Sequence, residues 1–310
     1  MHLTGLLPLN KPYDMRSTQC VELARRILGR KVKVGHGGTL DSTASGLLVL
    51  LIGSATRLSN YVMGMPKFYE ATVQLGNETT TDDASGEITV SAEWRTLTPD
   101  FLDSALTGFM GWRMQAPPQI SAVHIDGQRA HRLVRDGHEV EISEKPVYFA
   151  GIKRASGISE EGKVVFHVHC SKGTYIRSFA RDLGRRLACC AHIDTLKRVS
   201  VGPFSLENSR TADDLFSMKR DDFVKEILPV SSLCASSACY LPDLCRSRRL
   251  ANGLSLALKD IPRMNFGKYA SASEHIIASS EELFSICTYS PSGGSLEIVP
   301  SVNIIYDRSI

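Results

Sequence analysis

The most regular pattern in the chain is an alternation of apolar and polar residues that predicts β-strands. Every second residue from Tyr69 to Leu75 is apolar or aromatic, and residues 164–170 repeat this period. Residues 5–9 form a short, mostly apolar run. Residues 47–52 are apolar throughout, which is typical of a strand buried on both faces. We assign these four segments to the strands of a main domain.

Helical periodicity occurs between these strands. Residues 18–28 carry an apolar stripe and follow Ser17, a residue type that often caps a helix. Thr98 and Pro99 predict the start of a second helix, as N-cap and first helical residue. A third stripe covers residues 176–187. Strands interleaved with helices predict an α+β (mixed α/β) fold for the main domain.

The pattern changes towards the C-terminus. Residues 205–235 are typical of helical and connecting segments, and beyond residue 241 the apolar runs become short. These runs are residues 275–278, 283–289 and 296–299. They predict a small β-rich domain. We therefore expect two domains, residues 1–235 and residues 241–310.

The overall composition is that of a soluble globular protein, with 43% hydrophobic and 22% charged residues among 310. Extended disorder is therefore not expected. No apolar run approaches the roughly 20 residues that span a bilayer, and the N-terminus lacks the features of a secretory signal. The eight cysteines form no Cys-x-x-Cys pair and no zinc-type spacing. We expect reduced thiols, a cytoplasmic location, no membrane association and no bound metal.

Positive charge is concentrated in two segments of the chain. The net charge is only +3, yet residues 1–36 and residues 165–200 each contain seven Lys and Arg against two acidic residues. Together they carry +10, which leaves −7 for the remainder. Such clusters in a nearly neutral protein predict a surface that binds a polyanion, with solvated helix faces as the simpler alternative.

Candidate chemistry centres on Asp41, which follows a glycine-rich segment. Glycines let a ligand approach the backbone closely, but the segment lacks the GxGxxG and GxxxxGK[ST] spacings of nucleotide-cofactor sites. An Asp beside glycines is most often a turn or capping residue. Three other features favour a functional site: His36, Tyr69 and the run Gly-Thr-Tyr-Ile-Arg at residues 173–177.

Five segments, in order, resemble the bacterial tRNA pseudouridine-55 synthase family over about residues 5–205. They are KVGHGGTLDSTASGLLVLLIGSATRL, KFYEATVQLGNETTTDDASGEI, QAPPQISAVHIDGQRAHRLVRDG, SKGTYIRSFARDLGRRL and LKRVSVGPF. The C-terminal part, with RRLANGLSL, is similar to the PUA-like β-barrel that often follows in this family. The resemblance implies a pseudouridine-synthase-type catalytic domain, with a largely antiparallel sheet and flanking helices.

The resemblance also implies a reaction. It is the isomerisation of uridine to pseudouridine at position 55, in the T-loop of tRNA, on a flipped-out nucleotide. Asp41 matches the catalytic nucleophile, Arg177 its ion-pair partner, and Tyr69 the residue that stacks on the target base. The other matched positions, which contact the substrate or line its pocket, are His36, Tyr175, Leu196 and Lys11. Lys11 and Pro12 together match a Lys-Pro motif of the family. The positions that depart from the family pattern are Asp14, Ser42, Ile120 and His131.

These residues fit the chemistry of the reaction. Breaking a C–N glycosidic bond and rejoining base and ribose through carbon needs a carboxylate, but no redox cofactor and no metal. A carboxylate in a dry pocket stays ionised beside a cation, and Arg177 supplies a permanent charge. Tyr69 offers an aromatic face on which a detached base can turn in plane. Residues 115–146 are a candidate mobile insertion that clamps the RNA.

Three other functions fit parts of the sequence. A guide-RNA-dependent pseudouridine synthase shares the same motifs, and a non-catalytic tRNA-binding or tRNA-folding protein would share the basic surface. A glycoside hydrolase would need a second acid at suitable spacing, and the sequence identifies none. We expect a cofactor-free enzyme that acts on tRNA as a monomer.

Overall fold

The computed structural model describes residues 3–120, 124–125, 128–129, 143–236, 238–261, 264–266, 275–281, 283–292 and 295–305. Helices α1 to α7 span, in chain order, Ser17–Leu28, Ser59–Gly64, Pro99–Leu106, Ile176–Arg186, Ala212–Ser217, Arg220–Lys225 and Leu244–Ala251. Short 3₁₀ helices lie at Gly53–Leu58, Thr107–Phe109, Leu206–Asn208, Val230–Ser236 and Leu258–Asp260. Strands β1 to β20 span, in chain order, Gly5–Lys11, Val34–His36, Ala44–Ile52, Lys67–Leu75, Asn77–Thr79, Ile88–Ser91, Gly111–Gln115, His124–Ile125, Gln128–Arg129, Lys145–Arg154, Lys163–Cys170, Ala191–Val201, Phe204–Ser205, Arg210–Thr211, Ala238–Tyr240, Leu256–Ala257, Met264–Phe266, His275–Ser279, Leu283–Ser292 and Ser295–Ile305.

A mixed sheet of ten strands forms the centre of the molecule. Its strand order is β14-β1-β3-β12-β4-β11-β10-β7, with β2 paired to β3 and β13 paired to β12. Among its described pairs, β1–β14 and β3–β12 are parallel and the others are antiparallel. The largely antiparallel sheet with flanking helices that the sequence predicts is therefore confirmed.

Helices pack against this sheet in two groups. Helices α3 and α4 cover β4 and β11, and Phe179 of α4 is fully buried against Phe109, Phe149 and Phe166. Helices α1, α5 and α6 cover β1 and β3. Strand β3 is buried along most of its length because apolar side chains pack on both of its faces. Its continuous apolar run correctly predicted this position.

The two predicted helix caps have different outcomes. Thr98 caps α3 as predicted, because its Oγ1 accepts a hydrogen bond from the backbone N–H of Phe101 at 3.2 Å. The prediction that Ser17 caps α1 is wrong, since the N-cap is Arg16. Ser17 Oγ instead donates to Leu40 O at 2.8 Å and accepts from Leu40 N at 3.0 Å. A long-range contact thus replaces the local capping role.

The C-terminal part forms a second sheet of six strands in the order β16-β20-β19-β18-β15-β17. The three apolar runs of the sequence correspond to β18, β19 and β20, so the predicted β-rich C-terminal structure is confirmed. The last two strands are longer than predicted because they pair with each other along most of their length. Domain boundaries at 1–235 and 241–310 stay a prediction, since one hydrophobic core contains Val49 of β3 together with Phe284 of β19.

Within the described ranges, no helix is long and apolar enough to cross a membrane. The prediction that residues 115–146 form an insertion that clamps the RNA concerns mostly residues outside the described ranges. Of residues 115–146, those at 121–123, 126–127 and 130–142 lie outside the described residues, and His131 is among them.

Candidate active site

Asp41 lies in the loop that joins β2 to β3, and two distant side chains hold this loop. Ser17 of α1 bonds both backbone groups of the residue before Asp41. Arg198 of β12 is 2% exposed and donates to the carbonyl groups of Gly38 at 3.0 Å and Thr39 at 3.1 Å. The backbone that leads into Asp41 is therefore fixed by contacts from a helix and from a neighbouring strand.

Two glycines determine the backbone conformation of this loop. Gly38 has a φ of +129°, in a region that residues with side chains rarely adopt. At Gly37, an added Cβ atom would overlap the side chain of Val62 in α2. The glycines thus permit an unusual turn and close packing against α2.

Asp41 and Arg177 form an ion pair. Arg177 Nη2 lies 2.9 Å from Asp41 Oδ2, and the aspartate side chain is 43% exposed whereas the arginine side chain is 8% exposed. Arg177 Nη1 donates to the backbone carbonyls of Thr81 and Ile120. The guanidinium is therefore anchored on backbone groups at one nitrogen and meets a partly open carboxylate at another.

A second carboxylate, Asp83, lies beside Arg177, and the sequence patterns did not indicate it. Its Oδ2 is 3.9 Å from Arg177 Nε and accepts a hydrogen bond from Thr43 Oγ1 at 3.0 Å. Burial alone would raise the pKa of Asp83, but hydrogen bonds from Ser85 and Thr81 and the charge of Arg177 hold this pKa below its ordinary value. Asp83 is thus an ionised neighbour of Arg177 whose two oxygens are both hydrogen-bonded.

A pocket of about 610 Å³ opens at the ion pair, a volume typical of small-ligand sites. The predicted site residues that line it are Asp41, Tyr69, Tyr175, Arg177 and Leu196. Among the described lining residues, Asp41 is the only acid, whereas the cations are Lys67, Lys145, Lys172, Arg177 and Arg198. This charge distribution suits a ligand that carries negative charge. In the part of the chain that is described, no group of three or more His, Cys, Asp and Glu side chains is placed to hold a metal ion.

Tyr69, Leu196 and Tyr175 supply the apolar and aromatic surfaces of the pocket. Tyr69 is 8% exposed and Leu196 is 9% exposed. Burial raises the pKa of Tyr69 and the charge of Arg198 opposes the shift, so the phenol is uncharged at neutral pH. The backbone of Tyr175 exchanges two hydrogen bonds with the side chain of Gln115, at 2.9 and 3.0 Å. The site therefore has aromatic and apolar side chains in the same pocket as the carboxylate.

Two predicted site residues do not line the pocket. His36 is half-buried at the end of β2, and its Nδ1 accepts a hydrogen bond from the backbone N–H of Gly38 at 3.4 Å. Burial lowers the pKa of His36, so the ring is neutral at pH 7. Lys11 is fully buried, and its Nζ donates to Pro12 O at 2.8 Å and Met15 O at 2.7 Å. The Lys11 ammonium group is therefore hydrogen-bonded within the protein and is not exposed to a substrate.

Lys67 and Arg198 line the pocket and were missed. Each lies two residues from a predicted site residue on the same strand, Lys67 before Tyr69 and Arg198 after Leu196. Because side chains alternate along a strand, this spacing places both pairs on a common face, so the signal was present in the sequence. Lys67 Nζ donates to two carbonyl groups in residues 63–65, and burial lowers its pKa to about 7.

The basic segment at residues 165–200 is partly neutralised within the protein. Arg181 is 8% exposed and pairs with Asp82 at 2.8 Å. Arg185 pairs with Glu78 at 2.8 Å, and its side chain is 60% exposed. The interpretation of this whole segment as a polyanion-binding or solvated surface is therefore wrong for Arg181. One of its acidic partners, Asp182, is the next residue, whereas the other, Asp82, lies about 100 residues earlier in the chain and was not visible as a local charge pattern.

The sequence matches two consecutive family models. Residues 25–176 match the N-terminal domain of the TruB family pseudouridylate synthases, and residues 177–233 match the C-terminal domain of tRNA pseudouridylate synthase B. The chain belongs to the TruB family. Among its relatives, a protein of Ruegeria pomeroyi named tRNA pseudouridine synthase B is 40% identical over 256 residues, which cover 81% of this TruB chain and 82% of that protein. A Synechococcus protein of the same name is 43% identical over 197 residues, which cover 64% and 66% respectively.

Solved structures share the fold of this TruB chain at lower sequence identity. A chain of the Cbf5-Nop10-Gar1 complex is 22% identical, with a TM-score of 0.72 over 98% of this chain and 86% of that chain. A chain of an H/ACA RNP bound to a substrate RNA containing 2'-deoxyuridine is 21% identical, with a TM-score of 0.72 over 99% and 87%. The common fold thus extends over nearly the whole chain, including the C-terminal sheet.

Proposed function

We propose that this TruB chain is a tRNA pseudouridine-55 synthase, which isomerises uridine in the T-loop of tRNA with Asp41 as the nucleophile. The observation that carries the proposal is the 2.9 Å ion pair between Asp41 and Arg177 at a pocket of about 610 Å³. The relatives named tRNA pseudouridine synthase B support tRNA as the substrate.

The pocket residues suit the steps of an isomerisation. Asp41 attacks the substrate with a carboxylate whose negative charge Arg177 stabilises. The bond between N1 of uracil and C1′ of ribose breaks, the base turns, and C5 bonds to C1′. The bond between Asp41 and the substrate breaks, which releases the carboxylate, and the C5 proton is replaced by one at N1. Tyr69 holds the free base by stacking, which is worth about 1–3 kcal/mol, and Leu196 limits the space in which it turns. Every atom is retained, so no cofactor takes part.

The target nucleotide must leave a folded loop to reach Asp41. Flipping it out costs a few kcal/mol, which contacts to the RNA backbone offset. Lys145 and Lys172 at the pocket wall bind phosphate groups. His36 occupies space near the position that the flipped nucleotide leaves in the T-loop.

The test is incubation of the full chain with an unmodified tRNA transcript in the absence of any guide RNA. We expect a single pseudouridine at position 55, identified by chemical mapping of the product. A transcript with cytidine at that position should yield none. Conversion at another uridine would contradict the proposed position, and absence of conversion would contradict the proposed activity.

A guide-RNA-dependent synthase is the second candidate, because the fold matches a chain of the Cbf5-Nop10-Gar1 complex over 98% of this chain. Conversion that appears only when a guide RNA is added would favour it. We further propose that the chain works as a cytoplasmic monomer. Sedimentation of the free protein at the mass of one chain, and its recovery in the cytosolic fraction, are the expected results.

A further inference from the structure

An exposed cluster of aromatic and apolar side chains lies beside the pocket. This rim patch consists of Trp112 and Met114 on β7 and of Pro146 and Tyr148 on β10. Trp112 is 74% exposed, Met114 51% and Tyr148 38%, and the rings of Trp112 and Tyr148 lie 5.3 Å apart at 55°. Isolated exposed apolar residues are ordinary on protein surfaces, whereas a contiguous patch of four indicates a binding surface.

The strand register brings the four residues together. Trp112 pairs with Tyr148, and Met114 pairs with Pro146, in the antiparallel ladder of β7 and β10. Arg113 lies between the two β7 members, and its guanidinium stacks on a buried aromatic ring at 4.1 Å. Because side chains alternate across a strand, the rim patch occupies the face opposite to that core. Strand β7 is the last in the sheet order, so the patch lies at the sheet edge.

The rim patch is continuous with the pocket. Pro146 belongs to both, since it lines the pocket together with Lys145. Ser171 also lines the pocket, and its Oγ accepts a hydrogen bond from Tyr148 N at 3.0 Å. Three residues of a strand span about 10 Å, so Tyr148 lies roughly that distance from Lys145 at the pocket wall. A ligand that extends out of the pocket by one or two nucleotides reaches the patch.

We infer that the rim patch is a stacking platform for bases that neighbour the target nucleotide in the RNA, an inference that rests on the proposed function. A nucleotide flipped into the pocket leaves its neighbours at the mouth, where they have lost a stacking partner. Lys145 and Lys172 supply positive charge for phosphate groups there, and Asp41 is the only acid among the described lining residues. Exposed aromatic faces beside cations bind such bases whatever their identity. The patch therefore contributes affinity and not base selection.

Tryptophan fluorescence tests the platform directly. The chain has two tryptophans, Trp94 and Trp112, so Trp94→Phe leaves Trp112 as the single emitter. Combined with Asp41→Asn, this variant binds RNA without turning it over. Titration with unmodified tRNA should quench the Trp112 emission in a saturable way. Emission that stays constant while a filter-binding assay shows bound RNA would overturn the inference.

Affinity provides the second test. Trp112→Ala should raise the Kd for unmodified tRNA at least about fivefold, the effect of losing one stacked base. The control is Phe101→Ala, which removes an aromatic residue on α3 that is 54% exposed and lies outside the patch. An unchanged Kd for Trp112→Ala, or an equal rise for Phe101→Ala, would overturn the inference. So would a change in the oligomeric state of the RNA-free Trp112→Ala protein, because the patch would then bind a second copy. Failure of the proposed function would instead appear as absent pseudouridine with the fluorescence quenching intact.

Discussion

Arg198 is among the largest fully buried side chains of the described residues, and its hydrogen bonds go to backbone carbonyls. It donates to Leu47 at 2.7 Å and to the carbonyls of Gly38 and Thr39 at 3.0 and 3.1 Å. A positive charge therefore stays at the pocket while its donors hold the loop of Asp41. The Asp41 carboxylate therefore lies on a loop whose backbone is held by residues distant in the sequence.

Lys67 gives the fold a pH dependence that can be measured. Its pKa is about 7 in the folded protein against 10.5 for an ordinary lysine, because of burial. Between these values the unfolded chain binds one more proton than the folded chain, so a rise in pH favours folding. From pH 7 to pH 9 this group should add about 2 kcal/mol to the free energy of unfolding.

Urea unfolding at pH 7 and pH 9 checks this expectation. Lys67→Met should gain less stability over the interval than the wild type, while Lys197→Met, at an exposed position on β12, should gain as much. Lys11, whose pKa burial lowers to about 8, is present in all three proteins and cancels in the comparison. Equal gains for wild type and Lys67→Met would show that Lys67 is fully protonated in the folded protein at both pH values.

The sequence predicted only some of the individual residues of the site. The pairing of Asp41 with Arg177 came from the family resemblance, and the geometry brings the two together. Lys67 could have been predicted, because it lies two residues before Tyr69 on the same strand and therefore on the same face. Asp83 could not, because its contact with Thr43 joins positions 40 residues apart and no local pattern encodes it.

Helix α4 combines a buried apolar stripe with three arginines that form ion pairs. The stripe was predicted, and its apolar residues are buried in the core. The helix also carries Arg177, Arg181 and Arg185 at intervals of four, so they lie along one side. Each pairs with a carboxylate from another segment. The sequence shows the spacing of the arginines but not their partners, because strand order decides which loop faces the helix.

The buried pair of Asp82 and Arg181 should matter most for the position of this helix. Both side chains are about one-tenth exposed, and burial raises the pKa of Asp82 although Arg181 opposes the shift. Asp82→Asn removes the buried carboxylate from Arg181, which keeps Asp182 as an ion-pair partner at 2.9 Å. The substitution should lower the free energy of unfolding by about 3 kcal/mol, at the lower end of the effect of breaking a buried pair, because Asp182 remains.

An exposed ion pair is the matched control. Arg210 and Glu226 are separated by 2.9 Å, but the arginine side chain is 57% exposed. Glu226→Gln should therefore change stability by less than about 1 kcal/mol. Equal effects of Asp82→Asn and Glu226→Gln in urea unfolding would contradict the importance assigned to burial of the first pair.

At the scale of the whole molecule, one of the hydrophobic clusters of the described residues is shared by both sheets. Leu47 and Val62 of the ten-stranded part pack in the same cluster as Ile277, Phe284 and Ile286 of the C-terminal sheet. The sequence predicted both parts and their strand content, but not this contact. The periodicity of a segment shows which of its faces is apolar. It does not show which other segment that face packs against.

The shared core predicts cooperative unfolding. Both tryptophans lie before residue 115, so tryptophan fluorescence reports only on the ten-stranded part. Phe284→Ala in the C-terminal sheet should nevertheless lower the Tm seen by fluorescence, because it removes about 3–5 kcal/mol from the common core. Leu296→Ala, at a position 42% exposed in the same sheet, should leave that Tm nearly unchanged. A fluorescence transition that is insensitive to Phe284→Ala would show that the two sheets unfold independently.

The central claim is that the Asp41 carboxylate carries out the chemistry on a bound uridine. The most direct measurement compares the wild type with Asp41→Asn for pseudouridine formation and for tRNA binding in the same preparations. The substitution keeps the shape of the side chain and removes its negative charge. We predict a rate at least about a thousandfold lower, with the Kd for tRNA within about twofold of wild type. Pseudouridine formation by Asp41→Asn at a rate near that of the wild type would contradict the account.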